Sequence, residues 1–135
     1  MQRSYNWSIK SYVLGAKIKA LWDKKAAKWV EGRKGLLEKI QREVDPNEKI
    51  AWFHCSSLGE FEQGRPVLEK FRQEFPVYKI LLTFFSPSGY EVRKDYENAD
   101  YIFYLPADTK ANVQAFLEAV NPRVAIFVKY DFWFN

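Results

Sequence analysis

Short apolar runs alternate with amphipathic stretches over most of the chain. Strand-like runs occupy 49–54, 78–84, 101–104 and 123–128. Helical spacing occupies the segments between them, 60–75, 87–96 and 108–120. Pro87 suits a first helical turn, and Asp108 or Thr109 suits a helix cap. Strands alternating with helices of this length predict an α/β domain, with a Rossmann-like parallel sheet and helices on both faces.

The N-terminal segment follows helical periodicity over residues 5–31, but with two apolar stripes. One stripe contains Tyr5, Ile9, Tyr12, Val13, Ala16 and Ala20. The other is rich in tryptophan and contains Trp7, Leu14, Ile18, Leu21, Trp22 and Trp29. A helix that packs on a globular core needs only one such stripe, so the second must be buried elsewhere. The run 32–35, Gly-Arg-Lys-Gly, ends this helix, and a short helix is predicted over 36–43.

Charge is distributed unevenly between this segment and the rest. Residues 1–35 carry a net charge of +7, and residues 36–135 carry −3. Tryptophan beside lysine is typical of a helix that lies in a membrane interface, where lysine meets anionic lipid. We therefore predict a membrane-docking helix over 1–35 and a separate domain over 36–135. The alternative is that both stripes pack on protein, as in a dimer through the N-terminal helix.

Composition excludes several function classes. The chain has 135 residues, 47% of them hydrophobic, which fits one domain with a real core rather than a disordered tail. A single cysteine and a single histidine exclude a disulfide framework and a cysteine- or histidine-rich metal site. No metal or cofactor is predicted. The basic residues concentrate on one helix beside a net acidic body, which argues against nucleic-acid binding. No apolar run reaches the roughly 20 residues that span a bilayer.

Three polar loops follow predicted strands, at 55–60, 85–89 and 129–131. Ligands of open parallel sheets bind at the carboxyl ends of strands. With a strand order of 3-2-1-4, strands one and four are neighbours. Glu60 and Asp131 would then face the same crevice.

Residues of the first two loops allow both structural and functional interpretations. Gly59 permits a tight turn, and Glu60 lies in the first turn of a helix, where an acidic residue is an ordinary cap as well as a candidate catalytic carboxylate. Ser56 and Ser57 either bind a ligand or cap the helix.

The remaining polar residues of these loops carry weaker signals. Ser86 and Ser88 beside Gly89 resemble a small anion-holding loop. His54 is too close in sequence to the serines for triad geometry, so we interpret it as a core residue, and Cys55 as a small buried one.

Four motifs resemble those of the 3-deoxy-D-manno-octulosonic acid (Kdo) transferases. Residues 52–60 are similar to that family's W-x-H-x-x-S-x-G-E, and 82–89 to its T-x-T-x-[ST]-x-[ST]-G. Residues 104–108 are similar to Y-x-P-x-D, and 129–135 to E-x-E-x-W-P-N. The last motif departs from the family: Lys129 replaces its first Glu, Asp131 its second, and Phe134 its Pro.

The resemblance implies the N-terminal half of a two-domain GT-B glycosyltransferase, whose C-terminal donor domain is absent from this chain. The family moves Kdo from CMP-Kdo to a lipid A precursor with inversion and without a metal, in lipopolysaccharide biosynthesis. The expected location is the cytoplasmic face of the bacterial inner membrane. The isolated chain is expected to be inactive.

The motifs also imply roles for individual residues. Glu60 is implied as the general base, with Ser57, Gly59, Ser86, Ser88, Gly89 and Asp131 as substrate-binding residues. Arg65, about one helical turn after the motif, is added on charge and position as a contact to an acceptor phosphate. The competing hypothesis is a non-catalytic Rossmann-like module that docks on a membrane or an acidic partner.

Overall fold

The computed structural model describes residues 2–129 and 135, with side chains for 4–129 and 135. Its sheet contains β1 (Ile50–Cys55), β2 (Lys79–Phe84), β3 (Tyr101–Tyr104) and β4 (Val124–Phe127). All neighbouring strands are parallel, in the order β3-β2-β1-β4. This is the order 3-2-1-4 on which the expected crevice depends. It places β1 and β2, which carry the first two polar loops, side by side.

The helices of the described residues are α1 (Gln2–Lys19), α2 (Lys24–Glu31), α3 (Leu36–Glu43), α4 (Leu58–Glu74), α5 (Pro87–Arg93) and α6 (Lys110–Val120). The predicted alternation of strands and helices is confirmed. Thr109, rather than Asp108, caps α6, because its hydroxyl accepts a hydrogen bond from the Asn112 N–H.

Each face of the sheet has its own core. On one face, Trp52 and Leu81 pack with residues of α3 and α6, including Ile40 and Phe116. The opposite face packs against α4 through Phe53, Leu82, Phe84, Phe61 and Leu68. β1 and β2 are buried on both sides, which explains why they read as continuous apolar runs. The prediction of helices on both faces is confirmed.

The prediction of one helix over 5–31 is wrong. The chain turns at residues 20–22, and Asp23 starts α2 by accepting a hydrogen bond from the Ala26 N–H at 2.7 Å. This cap competes successfully with continuation of the helix because it satisfies a backbone donor of the new first turn. Continuous apolar periodicity therefore does not reveal this break, whereas the aspartate at position 23 is its local signal.

The turn also divides the tryptophan-rich stripe. Trp7, Leu14, Ile18, Leu21 and Trp22 are 50–79% exposed. Trp29 is only 7% exposed and packs edge-on against Tyr12 and Phe85. The assignment of Trp29 to the tryptophan-rich stripe that is buried elsewhere is therefore wrong. The other residues of that stripe, on α1 and in the turn after it, do form an exposed apolar surface. Phe75, the residue that ends α4, is 47% exposed.

Candidate functional site

The loop after β1 is closed by a reciprocal cap at the start of α4. The Ser57 hydroxyl accepts a hydrogen bond from the Glu60 N–H at 3.4 Å. The Glu60 carboxylate accepts two in return through Oε2, from the N–H groups of Ser56 at 2.6 Å and Ser57 at 3.2 Å. This is a capping box, and it holds the carboxylate at the carboxyl end of β1. Only Oε2 is engaged by the described residues, so Oε1 remains available to another partner.

His54 lies beneath this loop, fully buried in the sheet. Its Nδ1 is 2.9 Å from the Thr83 hydroxyl, and its Nε2 is 3.3 Å from the Ser56 hydroxyl. Thr83 also accepts a hydrogen bond from the Trp52 indole N–H at 2.8 Å. Burial lowers the pKa of His54 to about 4, so the imidazole is neutral at pH 7. The prediction that His54 and the buried Cys55 belong to the core is confirmed.

Gly64, rather than Gly59, is the glycine that lets α4 pack closely. Gly59 lies in the first turn of α4, its φ is not positive, and a Cβ there would meet nothing within 4 Å. The tight turn expected at Gly59 is wrong, because the capping box forms the bend instead. Gly64, one turn later, is the position that needs to be small: a Cβ there would lie 2.5 Å from Val128 Cγ2.

The loop after β2 begins α5 with a second serine cap. The Ser86 hydroxyl accepts a hydrogen bond from the Ser88 N–H and lies 3.0 Å from the Ser88 hydroxyl. The Ser86 carbonyl accepts from the N–H groups of Gly89 and Tyr90. The donors expected to hold an anion are therefore occupied within the loop, and an incoming anion would have to displace these bonds. Gly89 is buried against the ring of Phe84, which a Cβ would overlap.

One backbone hydrogen bond joins the two loops: the Ser86 N–H donates to the Ser56 carbonyl at 2.8 Å. Glu60, Ser57, Ser86 and Ser88 thus lie at the same edge of the sheet, as the strand order requires. A cleft of about 560 Å³ opens beside the second loop and is bordered by α1, α2, Phe85 and Ser86. Lys19 and Lys25 are among the residues that line it, and the Lys19 ammonium pairs with Asp23 at 3.8 Å.

Of the two other predicted polar site residues, the structure describes only Arg65. Arg65 lies on α4 and pairs with Glu62 at 3.3 Å, with 43% of its side chain exposed. Glu62 also pairs with Arg93. Asp131 lies outside the described residues, so the crevice expected between it and Glu60 stays a prediction. Lys129, two residues after β4, has a φ of 66°, which is uncommon for a residue with a side chain.

Sequence reasoning missed Arg33, whose guanidinium is stacked 3.9 Å over the Trp29 ring. The pattern at 32–35 predicts only the end of a helix. The available signal was the spacing of four residues between Trp29 and Arg33, which brings the two side chains together because Gly32, just after α2, still has helical backbone angles. The hydroxyl of Thr83 contacts both Trp52 and His54. Its signal in the sequence is that Thr83 is a polar residue inside an apolar strand.

Neither a metal centre nor a membrane span is found in the described part of the chain. Over residues 2–129 and 135, no three His, Cys, Asp or Glu side chains are grouped to hold a metal ion. In the same ranges, no helix combines the length and the apolar character needed to cross a bilayer.

Comparison with known proteins identifies the family. The family model described as 3-deoxy-D-manno-octulosonic-acid transferase (kdotransferase) matches residues 28–135. The chain belongs to the Kdo transferase family. Its parallel sheet with helices on both faces agrees with the GT-B glycosyltransferase architecture that the resemblance implied.

Curated relatives of the Kdo transferase family agree. The chain is 36% identical over 83 residues to the 3-deoxy-D-manno-octulosonic acid transferase of Aquifex aeolicus, a match covering 61% of this chain and 23% of that protein. It is 33% identical over 88 residues to the transferase of Chlamydia muridarum, covering 64% and 20%. That of Haemophilus influenzae is 28% identical over 91 residues, covering 67% and 21%. The chain thus spans about a fifth of the length of these Kdo transferases.

Proposed function

We propose that this chain is the acceptor-binding, N-terminal part of an enzyme that transfers Kdo from CMP-Kdo to a lipid A precursor. The main support is the Glu60 carboxylate, fixed by Ser56 and Ser57 at the carboxyl end of β1, in a chain of the Kdo transferase family. In this proposal Glu60 is the general base. The donor is bound mostly by a further domain, since the relatives are about five times longer than the matched segment.

The proposed step uses Glu60 through its unengaged oxygen. Oε1 accepts the proton of an acceptor hydroxyl while the hydroxyl oxygen forms a bond to the anomeric carbon of Kdo. The bond from that carbon to the phosphate of CMP breaks on the opposite side, so the configuration inverts and CMP leaves with the electron pair. Oε2 keeps its two N–H donors throughout, which holds the carboxylate in one orientation.

The other predicted site residues have supporting roles in the proposal. Ser57 fixes Glu60, and Ser86 and Ser88 contact sugar hydroxyls or phosphate of the acceptor beside the cleft at α1 and α2. Arg65 meets an acceptor phosphate by exchanging its partner Glu62. The step needs no metal or cofactor. Asp131 is proposed as a substrate-binding residue, with no geometry assigned to it.

We also propose that α1 docks on the cytoplasmic face of the inner membrane. The exposed stripe supports this proposal, since Trp7 and Trp22 are more than 70% exposed on a segment of strongly positive charge. Docking would bring the site to an acceptor whose acyl chains remain in the lipid. The alternative of a dimer through this helix predicts a concentration-dependent mass instead of lipid binding.

Transfer of Kdo by the whole protein tests the first proposal. The whole protein should convert a lipid A precursor with CMP-Kdo, and the isolated 135-residue chain should not. Turnover by the isolated chain would show that the donor site does not need another domain. Absence of transfer by a folded whole protein, with acceptor still bound, would favour a non-catalytic binding module.

Vesicle binding tests the docking proposal separately. The double variant Trp7→Ser and Trp22→Ser should bind vesicles of phosphatidylglycerol and phosphatidylcholine at least roughly tenfold more weakly than the unaltered chain. Both side chains are largely exposed, so the fold should be unaffected. Equal binding by both proteins would contradict docking through this stripe.

A further inference from the structure

Arg33 is a mostly buried cation whose charge no carboxylate of the described residues neutralises. Its Nη1 donates to the Trp29 carbonyl at 3.1 Å and its Nη2 to the Phe85 carbonyl at 2.9 Å. The guanidinium lies 3.9 Å from the Trp29 ring centre and 5.0 Å from those of Phe85 and Tyr104. Burial lowers the pKa of Arg33 to about 9, so the group is still charged at pH 7. A buried charge is costly, which indicates that its contacts are specific.

A series of hydrogen bonds connects Arg33 to Glu60, the proposed base. Arg33 holds the carbonyl of Phe85. The next residue, Ser86, donates its N–H to the Ser56 carbonyl at 2.8 Å. Ser56 in turn donates its own N–H to Glu60 Oε2 at 2.6 Å. Three hydrogen bonds therefore join the guanidinium to the carboxylate through both loops.

The same residue is anchored to the N-terminal helices. Trp29 of α2 lies beneath the guanidinium, and Tyr12 of α1 packs edge-on against Trp29. Gly32 lies against the ring of Tyr104, which leaves no room for a Cβ and fixes the backbone just before Arg33. Arg33 thus connects the helices proposed to dock on the membrane with the loops proposed to bind the acceptor.

We propose that Arg33 is a positioning residue: it couples the α1–α2 helices to the Phe85–Ser86 loop and, through Ser56, sets the orientation of Glu60. This inference rests on the proposed function for its consequence in catalysis, but the coupling itself is a property of the chain alone. Arg33 need not touch the substrate. Its guanidinium matters through the two carbonyls that it holds and the rings that it stacks on.

Hydrogen exchange in the isolated chain tests the coupling. Arg33→Met keeps the packing of the stem but removes both donors. The amides of Ser56 and Ser86 should exchange about tenfold faster, because the loop loses a charge-assisted hydrogen bond. Amides inside β1 and β2 should keep their protection. Unchanged loop exchange, or an equal increase throughout the sheet, would overturn the proposal.

Arg72→Met is the matched control. Arg72 pairs with Asp100 at 2.8 Å, and Asp100 also accepts the N–H of Ile80 at the start of β2, the opposite end of that strand. This variant also removes a partly buried guanidinium, but it should leave exchange at Ser56 and Ser86 unaltered. Faster loop exchange in both variants would show general loosening and would reject a specific role for Arg33.

Kinetics of the whole protein provide a readout that a purely structural role would not move. Arg33→Met should lower kcat about tenfold with the KM for CMP-Kdo unchanged, and Arg33→Lys should recover part of kcat because it restores one donor. A change in donor KM alone, or no recovery with lysine, would contradict positioning. If Glu60 proved dispensable for transfer, its assignment as the general base would be wrong. The exchange experiment would still decide whether Arg33 orders the loops.

Discussion

The loops that follow β1 and β2 both contain a serine that caps the next helix, but the two loops differ in their surroundings. In each, a serine immediately before a helix caps its first turn. The first loop carries a carboxylate and a glycine in open space, Glu60 and Gly59, whereas Gly89 of the second is packed on Phe84. The glycines of the two loops therefore differ in the physical reason for their small size. Gly59 leaves room at the surface, and Gly89 lets a helix seat on the core.

This difference separates residues that shape the fold from those that are free for function. The small size of Gly89 is explained by packing alone. Neither packing among the described residues nor backbone conformation requires a small residue at Gly59, and in the proposed function this space admits the ligand. Ser57 and Glu60 form a cap that, among the described residues, leaves Glu60 Oε1 without a partner.

Alanine at the two glycines gives the largest expected contrast. Gly89→Ala should lower the free energy of unfolding by about 3 kcal/mol, because the new methyl group overlaps the Phe84 ring. Gly59→Ala should raise it by about 0.5 kcal/mol through helix propensity. Urea unfolding of both variants measures this directly. Equal effects at both positions would remove the distinction between the loops.

Acid should lower the stability of the fold by protonating His54, which lies beneath the first loop. The pKa of buried His54 is about 4, below its ordinary value of 6.5, so the unfolded chain binds more protons between these values. The stability that neutral His54 contributes is present above pH 6.5 and is lost as the pH falls towards 4.

Unfolding at pH 7 and pH 4.5 measures this loss. The chain should lose about 2 kcal/mol more than the variant His54→Gln, from the size of the pKa difference. The comparison cancels carboxylates such as Asp100, whose pKa is lowered by its contacts with Arg72 and Ile80 despite the opposing effect of burial. Parallel pH profiles would show that His54 does not titrate this way.

The smallest contrast lies in the caps themselves. Ser57→Ala and Ser86→Ala each remove a side-chain acceptor and should cost about 1 kcal/mol of unfolding free energy. Ser57→Ala should cost the more, because α4 is long and the reciprocal bond to Glu60 is also disturbed. Thermal unfolding of both variants tests the order. A larger loss for Ser86→Ala would mean that the second loop, not the first, depends on its cap.

Much of this arrangement follows from local sequence rules, and the exceptions have physical causes. The bounds of β3 and α3 were predictable from periodicity, and the helices on both faces of the sheet from the rules of βαβ connection. The division of the N-terminal helix was not, because a cap at Asp23 overrode an unbroken apolar pattern. The burial of Trp29 depends on Phe85 and Tyr12, contacts that periodicity within one helix does not reveal.

The candidate site was predictable only in part. The position of Glu60 and its serine partners follows from a capping motif placed after a buried strand. The contact of Arg33 with the Phe85 carbonyl could not be predicted, since it joins residues 52 positions apart along the chain. The contrast between Gly59 and Gly89 likewise requires three-dimensional neighbours, because both are glycines near a helix start.

The most direct test of the central claim is the rate of Kdo transfer by Glu60→Gln in the whole protein. Glutamine also serves in a capping box, so the fold and the cap should survive, while the side chain can no longer accept a proton. We predict that kcat falls by roughly 10²- to 10⁴-fold, with an unfolding midpoint within a few degrees of the unaltered protein. Transfer at a near-normal rate by this variant would show that Glu60 is only the cap of α4.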